Sequence, residues 1–423
     1  MPAPRTHKPR RPFNDPVADP KPFMRFEPPP PTGRNTLKLP LRVVMPEAAQ
    51  AIQQAGKIVF HAVGDVGGVH GTEAQRAISD VMESQITGTV QTGQPTDTAT
   101  DSPSGQGGSP PAPGADPAND PQVDPGTEVP APGQPAFLYL LGDVIYFNGQ
   151  STLYREQFYD PYKFYPAPIF AIPGNHDGDT QVHQNDLPDT ETTLTGFVMN
   201  FCDTQPRHLY PYRETMTQPY VYWTLDAPFV TLIGLYSNVE GTLDGRGNVE
   251  QQQWLTDQLK AADPAKSVII AVHHPPYSLD NDHGGCPDID AALDQAMADS
   301  GRMADAVFSG HVHNYQRFTR TFQGRQIPYV VAGAGGYANS SKAMHKLQTD
   351  DDGNLPPTGQ PTTRADVTFE AFNQDNPGFL RLTIDDGAKT LRAEYFLVPF
   401  DDSAPSLADS FTLDLNAHTV ASP

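Results

Sequence analysis

Residues 167–177 read APIFAIPGNHD, an apolar run that changes abruptly into glycine, asparagine, histidine and aspartate. The apolar part is short and aliphatic or aromatic, which is the pattern of a strand buried on both faces. The polar residues that follow, 174–177, then stand at the carboxyl end of that strand. Open α/β sheets bind their ligands at this end. The stretch therefore predicts an α/β sheet with functional residues gathered at one edge.

Four other apolar runs end in the same way. They are KIVFHAV before Gly64-Asp65, AFLYLL before Gly142-Asp143, SVIIAV before His273-His274, and DAVFS before Gly310-His311-Val312-His313. Two aspartates, an asparagine and three or four histidines are thus expected to converge at one edge of the sheet. Oxygen and imidazole ligands in this mixture are typical of a two-metal hydrolytic site.

Each motif taken alone also has a purely structural interpretation. A Gly-Asp at a strand end is usually a turn or a helix cap, and the residues at 174–177 suit a tight turn. The histidine pair at 273–274 precedes two prolines and could simply end a strand. Residues 310–313 are more informative, because they place two histidines at i and i+2 directly beyond a strand. The five motifs together favour a functional site over five unrelated turns.

Composition restricts the classes of partner. The chain has 423 residues and a formal charge of −22. Nucleic acid and anionic membranes both require a basic face, so neither is expected as a partner. A small anionic substrate remains compatible, because bound cations would dominate the local field. No apolar stretch approaches the roughly 20 residues of a membrane-spanning helix, and Arg10-Arg11 is not followed by the apolar region of a signal peptide. A cytoplasmic location is predicted.

The chain is expected to fold as one domain with additions. Residues 1–40 are proline-rich and predict an arm that either wraps the body or stays loose, while 41–400 form the domain and 401–423 a C-terminal tail. Residues 88–135 consist largely of Gly, Pro, Thr, Ser, Gln and Asp, without Lys or Arg. They could be an interdomain linker, but the five strands lie on both sides of them, so a disordered insertion is predicted. Two cysteines, Cys202 and Cys286, could form one disulfide or remain thiols.

Further elements are predicted from periodicity and turn signals. Helices are expected at 73–86, 251–261 and 289–300, and a hairpin at 378–384 and 391–397.

The order of the motifs resembles the calcineurin-like metallophosphoesterase superfamily. The usual first motif of that superfamily is Asp-x-His, whereas this chain has Asp65-Val66-Gly67. Its second motif, residues 142–146, has the form Gly-Asp-x-x-Tyr. This pair of departures resembles the purple acid phosphatase branch, in which a tyrosine replaces the missing histidine at the first metal. One ligand is lost at Gly67 and one is gained at Tyr146. The resemblance covers about 57–398 apart from the insertion.

The resemblance implies a set of ligands and catalytic residues. The first metal would be held by Asp65, Asp143, Tyr146 and His313, and the second by Asp143, Asn175, His273 and His311. A hydroxide on or between the metals would attack phosphorus in line. His176 would protonate the leaving oxygen, and Asp177 would orient His176. Phenolate is a hard anionic donor, so the first metal is expected to be Fe(III) and the second Fe(II), Zn or Mn.

The resemblance also implies the fold and the activity. The fold would be a four-layer α/β/β/α sandwich of two mixed β-sheets. The activity would be hydrolysis of a phosphate ester, with a small-molecule phosphomonoester as the expected substrate. A phosphodiesterase or nucleotide pyrophosphatase could use the same site, and a metal-dependent phosphate or phosphoprotein binder with little turnover is the alternative of another class. His176 argues against a binder, because binding needs no proton donor beside the metals. His274, Tyr277, His283 and His208 could line the pocket or serve packing.

Overall fold

The computed structural model describes residues 12–17, 28, 36–88, 131, 133–180, 191–239, 243, 250–339, 342–401 and 403–422. Its strands are β1 Lys38–Pro40, β2 Lys57–Val63, β3 Leu138–Leu141, β4 Ile169–Ile172, β5 Trp223–Ala227, β6 Val230–Leu235, β7 Ser267–Val272, β8 Ala306–Ser309, β9 Tyr315–Phe322, β10 Arg325–Ala332, β11 Gln360–Pro361, β12 Val367–Asn373, β13 Gly378–Asp385, β14 Thr390–Leu397, β15 Ser406–Asp414 and β16 Thr419–Ala421. Its helices are α1 Leu41–Val44, α2 Pro46–Ala55, α3 Glu73–Thr87, α4 Asn175–Gly178, α5 Thr195–Phe201, α6 Glu250–Ala261 and α7 Pro287–Ser300.

The strands form two mixed sheets. One has the order β1-β5-β6-β7-β8-β10-β9-β12-β11, and the other has the order β16-β15-β14-β13-β2-β3-β4. Strands β2, β3 and β4 run parallel to one another, as do β6, β7, β8 and β10. Each sheet therefore contains a block of parallel strands whose carboxyl ends share one edge.

The sheets pack face to face, with helices on both outer faces. On β3, Tyr139 and Leu141 belong to the apolar cluster between the sheets, whereas Leu138 and Leu140 pack beneath α3 and α5. On β7, the same alternation places Ile269 between the sheets and its neighbours beneath α6 and α7. A strand that is buried in a layered α/β fold must carry apolar side chains on both faces, and β3 and β7 do so. The predicted four-layer α/β/β/α sandwich is confirmed.

Most elements predicted from periodicity have the expected type. The strand at Lys57–Val63 has the predicted bounds, and the helices at α3, α6 and α7 differ from prediction by one or two residues at an end. Strands β13 and β14 pair as the predicted hairpin. Cys202 and Cys286 are not joined by a disulfide. Among the described residues no helix is both long and apolar enough to cross a bilayer.

The ends of the chain differ from the prediction. Residues 401–423 were expected to be a tail, but they supply β15 and β16 to the second sheet. The physical reason is visible in the sequence, because Phe411 and Leu413 alternate with polar residues and turn into the core between the sheets. At the other end, β1 lies within the region predicted as an arm that wraps the body or stays loose, and it pairs in parallel with β5. Its Leu39 is buried in that same core.

A second part of the N-terminal region lies against the body. The Pro16 carbonyl accepts a hydrogen bond from the Ser278 amide at 2.9 Å, and the Asn14 carbonyl accepts one from Thr363 at 2.9 Å. The Asn14 amide donates to Gln348 Oε1 at 3.1 Å. This segment therefore contacts the loop after His274. The predicted insertion at 88–135 lies outside the described residues, apart from 88, 131 and 133–135, and its disorder stays a prediction.

Candidate metal centre

The predicted site residues come together at the edge where the two blocks of parallel strands end. Asp65 follows β2, Asp143 follows β3, and the Asn175-His176-Asp177 turn follows β4. From the other sheet, His273 follows β7, and His311 and His313 follow β8. The two sheets approach closely here, since the Gly64 amide donates to the Ala332 carbonyl at 2.9 Å. Residues from five separate strands thus face one another across the junction of the sheets.

Three side chains form a first group of donor atoms. The Tyr146 hydroxyl donates to Asp65 Oδ1 at 3.1 Å and lies 3.3 Å from His313 Nε2. His313 Nε2 is 3.4 Å from the same Asp65 oxygen. Asp65 and Tyr146 are almost completely buried, and His313 nearly so. These are three of the four residues expected at the first metal.

A second group lies beside the first. Asn175 Oδ1 is 3.1 Å from His273 Nε2 and 3.0 Å from His311 Nδ1. Asp143 Oδ1 is 3.4 Å from His273 Nε2. One ligand atom each of Asp65, Asp143 and His273 lie within 4.8 Å of one another, so Asp143 stands between the groups. Asp143, which was expected to bind both metals, therefore lies near a residue of each group.

The spacing of these atoms fits metal ions. Ligand atoms that bind one ion at about 2.0–2.2 Å are themselves about 3–3.5 Å apart, which is the range of the separations above. The tautomer of His273 gives a second reason. Its Nδ1 lies 2.9 Å from the Leu141 carbonyl and must donate to it, so a neutral ring presents a lone pair on Nε2 to the oxygens of Asn175 and Asp143. A cation between these atoms would remove the repulsion between the lone pair on His273 Nε2 and the lone pairs of the two oxygens.

The acid–base properties of the group point the same way. Burial raises the pKa of Asp65 to about 8. Burial alone would lower the pKa of His273, but the Asp143 carboxylate beside it raises that pKa to about 9. Burial also acts to raise the pKa of Asp143, yet His273 and His176 hold it below its usual range. Burial and the two carboxylates, Asp143 and Asp65, raise the pKa of Tyr146 well above its ordinary value. Without metal, Asp65 and His273 therefore hold protons near neutral pH. A bound cation would supply the positive charge at these positions instead.

The backbone around the site is specialised. Asp65, Asp143 and His311 have φ values of 59°, 50° and 68°, in the left-handed region that non-glycine residues seldom adopt. Gly174 allows a close approach: a Cβ there would lie 2.1 Å from Asp143 Oδ1 and 2.7 Å from His273 Cε1. Only glycine at 174 lets β4 deliver Asn175 beside these two side chains.

His176 and Asp177 both make hydrogen bonds to main-chain groups of the loops after β3 and β4. His176 Nδ1 lies 2.7 Å from the Phe147 carbonyl, so that nitrogen carries the proton. That Asp177 orients this ring stays a prediction. Asp177 is buried and accepts backbone N–H bonds from Gly174 at 2.8 Å and from Val144 at 3.1 Å. Its carboxylate ties the loops after β3 and β4 together, because buried amides need an acceptor there.

The remaining histidines divide into two kinds. His274 and His283 lie beside His311, with ring centroids 4.4 and 4.9 Å from it. His208, in contrast, is a surface residue paired with Glu214 at 3.3 Å. Tyr277 serves packing, since its ring lies in the apolar cluster beneath α7.

Sequence reasoning missed several residues that surround the site. His345 stacks on His313 at 4.1 Å between ring centroids, and its Nδ1 accepts the His313 amide at 3.2 Å. No motif marks His345. Tyr337 and His70 also lie beside the site, and for these a signal existed: each lies in a glycine-rich loop directly after a strand that leads to the site.

Comparison with known proteins agrees with this geometry. The family model described as calcineurin-like phosphoesterase matches residues 125–315, which include every expected ligand except Asp65. Over these residues the chain is similar to the calcineurin-like phosphoesterases. The similar sequences and structures include purple acid phosphatases, as the tyrosine at 146 predicted.

Two curated relatives show how similar known proteins are to this chain. Purple acid phosphatase 22 of Arabidopsis thaliana is 26% identical over 216 residues, covering 49% of this chain and 44% of that protein. The probable glycerophosphodiester phosphodiesterase GpdQ of Arcobacter nitrofigilis is 26% identical over 182 residues, covering 43% of this chain and 57% of that protein. The chain thus spans about half the length of these relatives.

A solved structure shows the same fold. The purple acid phosphatase PPD1 from yellow lupin (Lupinus luteus) seeds aligns with a TM-score of 0.53 and 17% identity, covering 85% of this chain and 54% of that one. At this identity the likeness concerns the fold alone.

Proposed function

We propose that this protein hydrolyses phosphate esters, with small phosphomonoesters as its substrates. One observation carries the proposal: seven donor side chains from five strands form two adjacent groups with Asp143 between them. Structural cation sites need only one such group, whereas adjacent pairs of sites are used to stabilise both the attacking and the leaving oxygen of a displacement at phosphorus.

The donor groups indicate which residues would hold two metal ions. Asp65, Tyr146 and His313 would hold the first, Asn175, His273 and His311 the second, and Asp143 both. When bound, the ions would supply Lewis acidity and a water nucleophile of lowered pKa. The Tyr146 phenol favours Fe(III) at the first position, and the amide and imidazole donors suit Fe(II), Zn or Mn at the second.

Several of the chain's own groups would handle protons and position. His176 holds a proton on Nδ1 through the Phe147 carbonyl, so the proton that it exchanges with a leaving oxygen is on Nε2. Asp177 fixes the turn that carries His176 by accepting the Gly174 and Val144 amides. The Leu141 carbonyl directs His273 Nε2 toward the ligand group, in the way that hydrogen-bonded partners commonly orient metal-binding imidazoles.

A phosphodiesterase is the second candidate. The similarity to a probable glycerophosphodiester phosphodiesterase, which extends over 57% of that protein, favours it specifically. The same donor groups would serve both reactions, and the difference would rest on how many ester groups the pocket accommodates.

The experiment is metal analysis of the purified protein combined with a substrate panel. Protein loaded with iron, zinc or manganese is assayed on 4-nitrophenyl phosphate and bis(4-nitrophenyl) phosphate between about pH 4 and pH 9. Carboxyl and imidazole groups titrate in this range. Two metal equivalents and a kcat/KM that favours the monoester support the proposal. Preference for the diester supports the second candidate. Two bound metals without turnover on any ester would contradict both and favour a binding protein.

A further inference from the structure

The surroundings of the candidate metal centre are chemically asymmetric. On one side, His283 lies 4.9 Å from His311 and 4.7 Å from His345 between ring centroids, and His345 stacks at 4.1 Å on His313. His274 adds a further imidazole, 4.4 Å from His311. This side offers polar ring nitrogens, which suit the oxygens of a phosphoryl group.

The other side, where His176 lies, is aromatic. The ring of His176 is 4.7 Å from that of Tyr146 and 5.8 Å from that of Phe147. Phe147 in turn is 5.7 Å from His70 and 6.2 Å from Tyr337. His70 and Tyr337 meet edge to face at 4.9 Å. The rings of Phe147, His70 and Tyr337, here called the aromatic wall, therefore continue outward from His176.

Two properties separate the aromatic wall from ordinary core packing. Phe147 and His70 are half-buried, so the wall borders solvent beside the site. His70 Nε2 is itself enclosed and has no hydrogen-bond partner within the part of the chain that the structure describes. An enclosed polar nitrogen is usually satisfied by some partner, and a ligand can supply one.

The position of the wall relative to His176 decides what it would contact. The proposed proton donor must lie next to the leaving oxygen, because proton transfer needs hydrogen-bond distance. The group attached to that oxygen then leaves the centre on the His176 side and meets Phe147 and its neighbours. The phosphoryl oxygens, in contrast, are left to the imidazole side.

We propose that the aromatic wall is a leaving-group subsite that favours planar aromatic esters, such as aryl phosphates, over aliphatic ones. The inference rests on the proposed phosphatase function and adds a substrate class to it. Aromatic rings pack edge to face or offset on one another, and Phe147 and His70 would receive a ring in this way. Phe147 and His70 determine specificity here and have no part in holding metal.

The test uses non-hydrolysable phosphonates, so that binding is separated from leaving-group reactivity. Inhibition constants of phenylphosphonate and methylphosphonate are measured for the metal-loaded wild type and for Phe147→Leu, which keeps apolar volume and loses the ring. We expect phenylphosphonate to bind about 3- to 10-fold more weakly to the variant, the range for one aromatic contact, with methylphosphonate unchanged. The matched control is Phe164→Leu, a change at an exposed phenylalanine on the loop before β4, which should alter neither constant.

His70→Ala provides an independent variant, because it removes another ring of the wall without touching the loop that carries Tyr146. It should reproduce the selective loss for phenylphosphonate at unchanged metal content. Equal weakening of both phosphonates, or no effect on either, would overturn the subsite and leave the phosphatase proposal standing. A wild type that hydrolyses neither aryl nor alkyl phosphates would overturn both.

Discussion

The ring of Tyr146 occupies the volume that a side chain at position 67 would need. A Cβ on Gly67 would lie 2.8 Å from Cδ2 of Tyr146, and also 2.9 Å from the Cα of Ile145. The absence of a histidine from the first motif and the presence of a tyrosine in the second therefore depend on each other, because the two side chains would occupy the same space. In this backbone the donor oxygen of Tyr146 is available only because position 67 has no side chain.

The first prediction concerns Tyr146→Phe. The change keeps the ring that packs against Gly67 and removes only the oxygen, which lies 3.1 Å from Asp65 Oδ1. Iron-loaded wild type should absorb in the visible region through charge transfer from tyrosinate, and the variant should lose this band and bind ferric iron more weakly. Absorption spectra with iron content are the measurement. Tyr139→Phe, a buried tyrosine on the inter-sheet face of β3, is the control and should keep the band.

The same packing indicates which rescue would fail. Adding Gly67→His to Tyr146→Phe should not rebuild the first group of ligands, because the contact with the Ile145 backbone remains when the tyrosine oxygen is removed. A double variant that binds two metals would show that the loop after β2 can move aside.

The second prediction separates shared from unshared ligands. Asp143→Asn should lower occupancy of both metal positions and reduce activity by about 10³-fold or more, because Asp143 stands between the two donor groups. Asparagine tolerates the left-handed φ of 50° at this position, so the fold should persist. His311→Ala should remove chiefly one metal equivalent. Metal analysis by mass spectrometry decides, and two equivalents in Asp143→Asn would refute the sharing.

The third prediction tests the proton donor. His176→Ala should keep full metal content, because His176 is not in either donor group, while kcat falls about 10²- to 10⁴-fold for esters with basic leaving groups. Esters with acidic leaving groups need less protonation and should lose less. The measurement is the dependence of kcat on leaving-group pKa. If all esters slow equally, His176 is a positioning residue.

The fourth prediction concerns stability against pH. Burial lowers the pKa of His61 to about 3. Its Nδ1 lies 3.1 Å from the Tyr165 hydroxyl, and its Nε2 lies 3.1 Å from Gln85 Oε1. Between about pH 6.5 and pH 3 the unfolded chain then binds a proton that the folded chain does not, so stability falls as the pH falls. His61→Gln should remove about 1.4 kcal/mol of this loss per pH unit in that window.

Urea unfolding at several pH values gives the free energy of unfolding of wild type and of His61→Gln. The contribution of the many carboxylates is the same in both proteins and cancels in the difference. His208→Gln changes an exposed histidine and serves as the control. Parallel stability curves for wild type and His61→Gln would contradict the assignment.

The fifth prediction concerns the insertion. Replacing residues 92–128 by a short Gly/Ser link should leave the melting temperature and metal content nearly unchanged, because the segment has little apolar surface and loop closure varies slowly with length. The replacement ends before Gly133, whose carbonyl accepts a hydrogen bond from Arg381 at 3.1 Å. Loss of folding or activity would show that the segment supports the domain or covers the site.

The pattern of apolar residues along the sequence predicted the strands that carry the expected ligands, but it did not predict the side-chain contacts around those ligands. The apolar run at 57–63 predicted β2 with its bounds, because a strand buried on both faces must be apolar throughout. His345 could not be predicted, since its place beside His313 depends on how the loop after β10 returns to the site. The family resemblance implied that Asp177 orients His176, but it could not show that the Gly174 and Val144 amides also bind the Asp177 oxygens, because those contacts depend on how two loops meet.

The left-handed backbone at Asp65, Asp143 and His311 has an evolutionary consequence. Each non-glycine residue in this conformation costs folding about 1 kcal/mol or more, and glycine would relieve it. A chain drifting without selection for chemistry would be expected to lose these three side chains early, since their replacement relaxes the backbone and, at Asp65 and Asp143, also removes a buried ionisable group. Three such residues meet at the candidate metal centre, so decay at these positions would mark descendants that have lost the proposed activity.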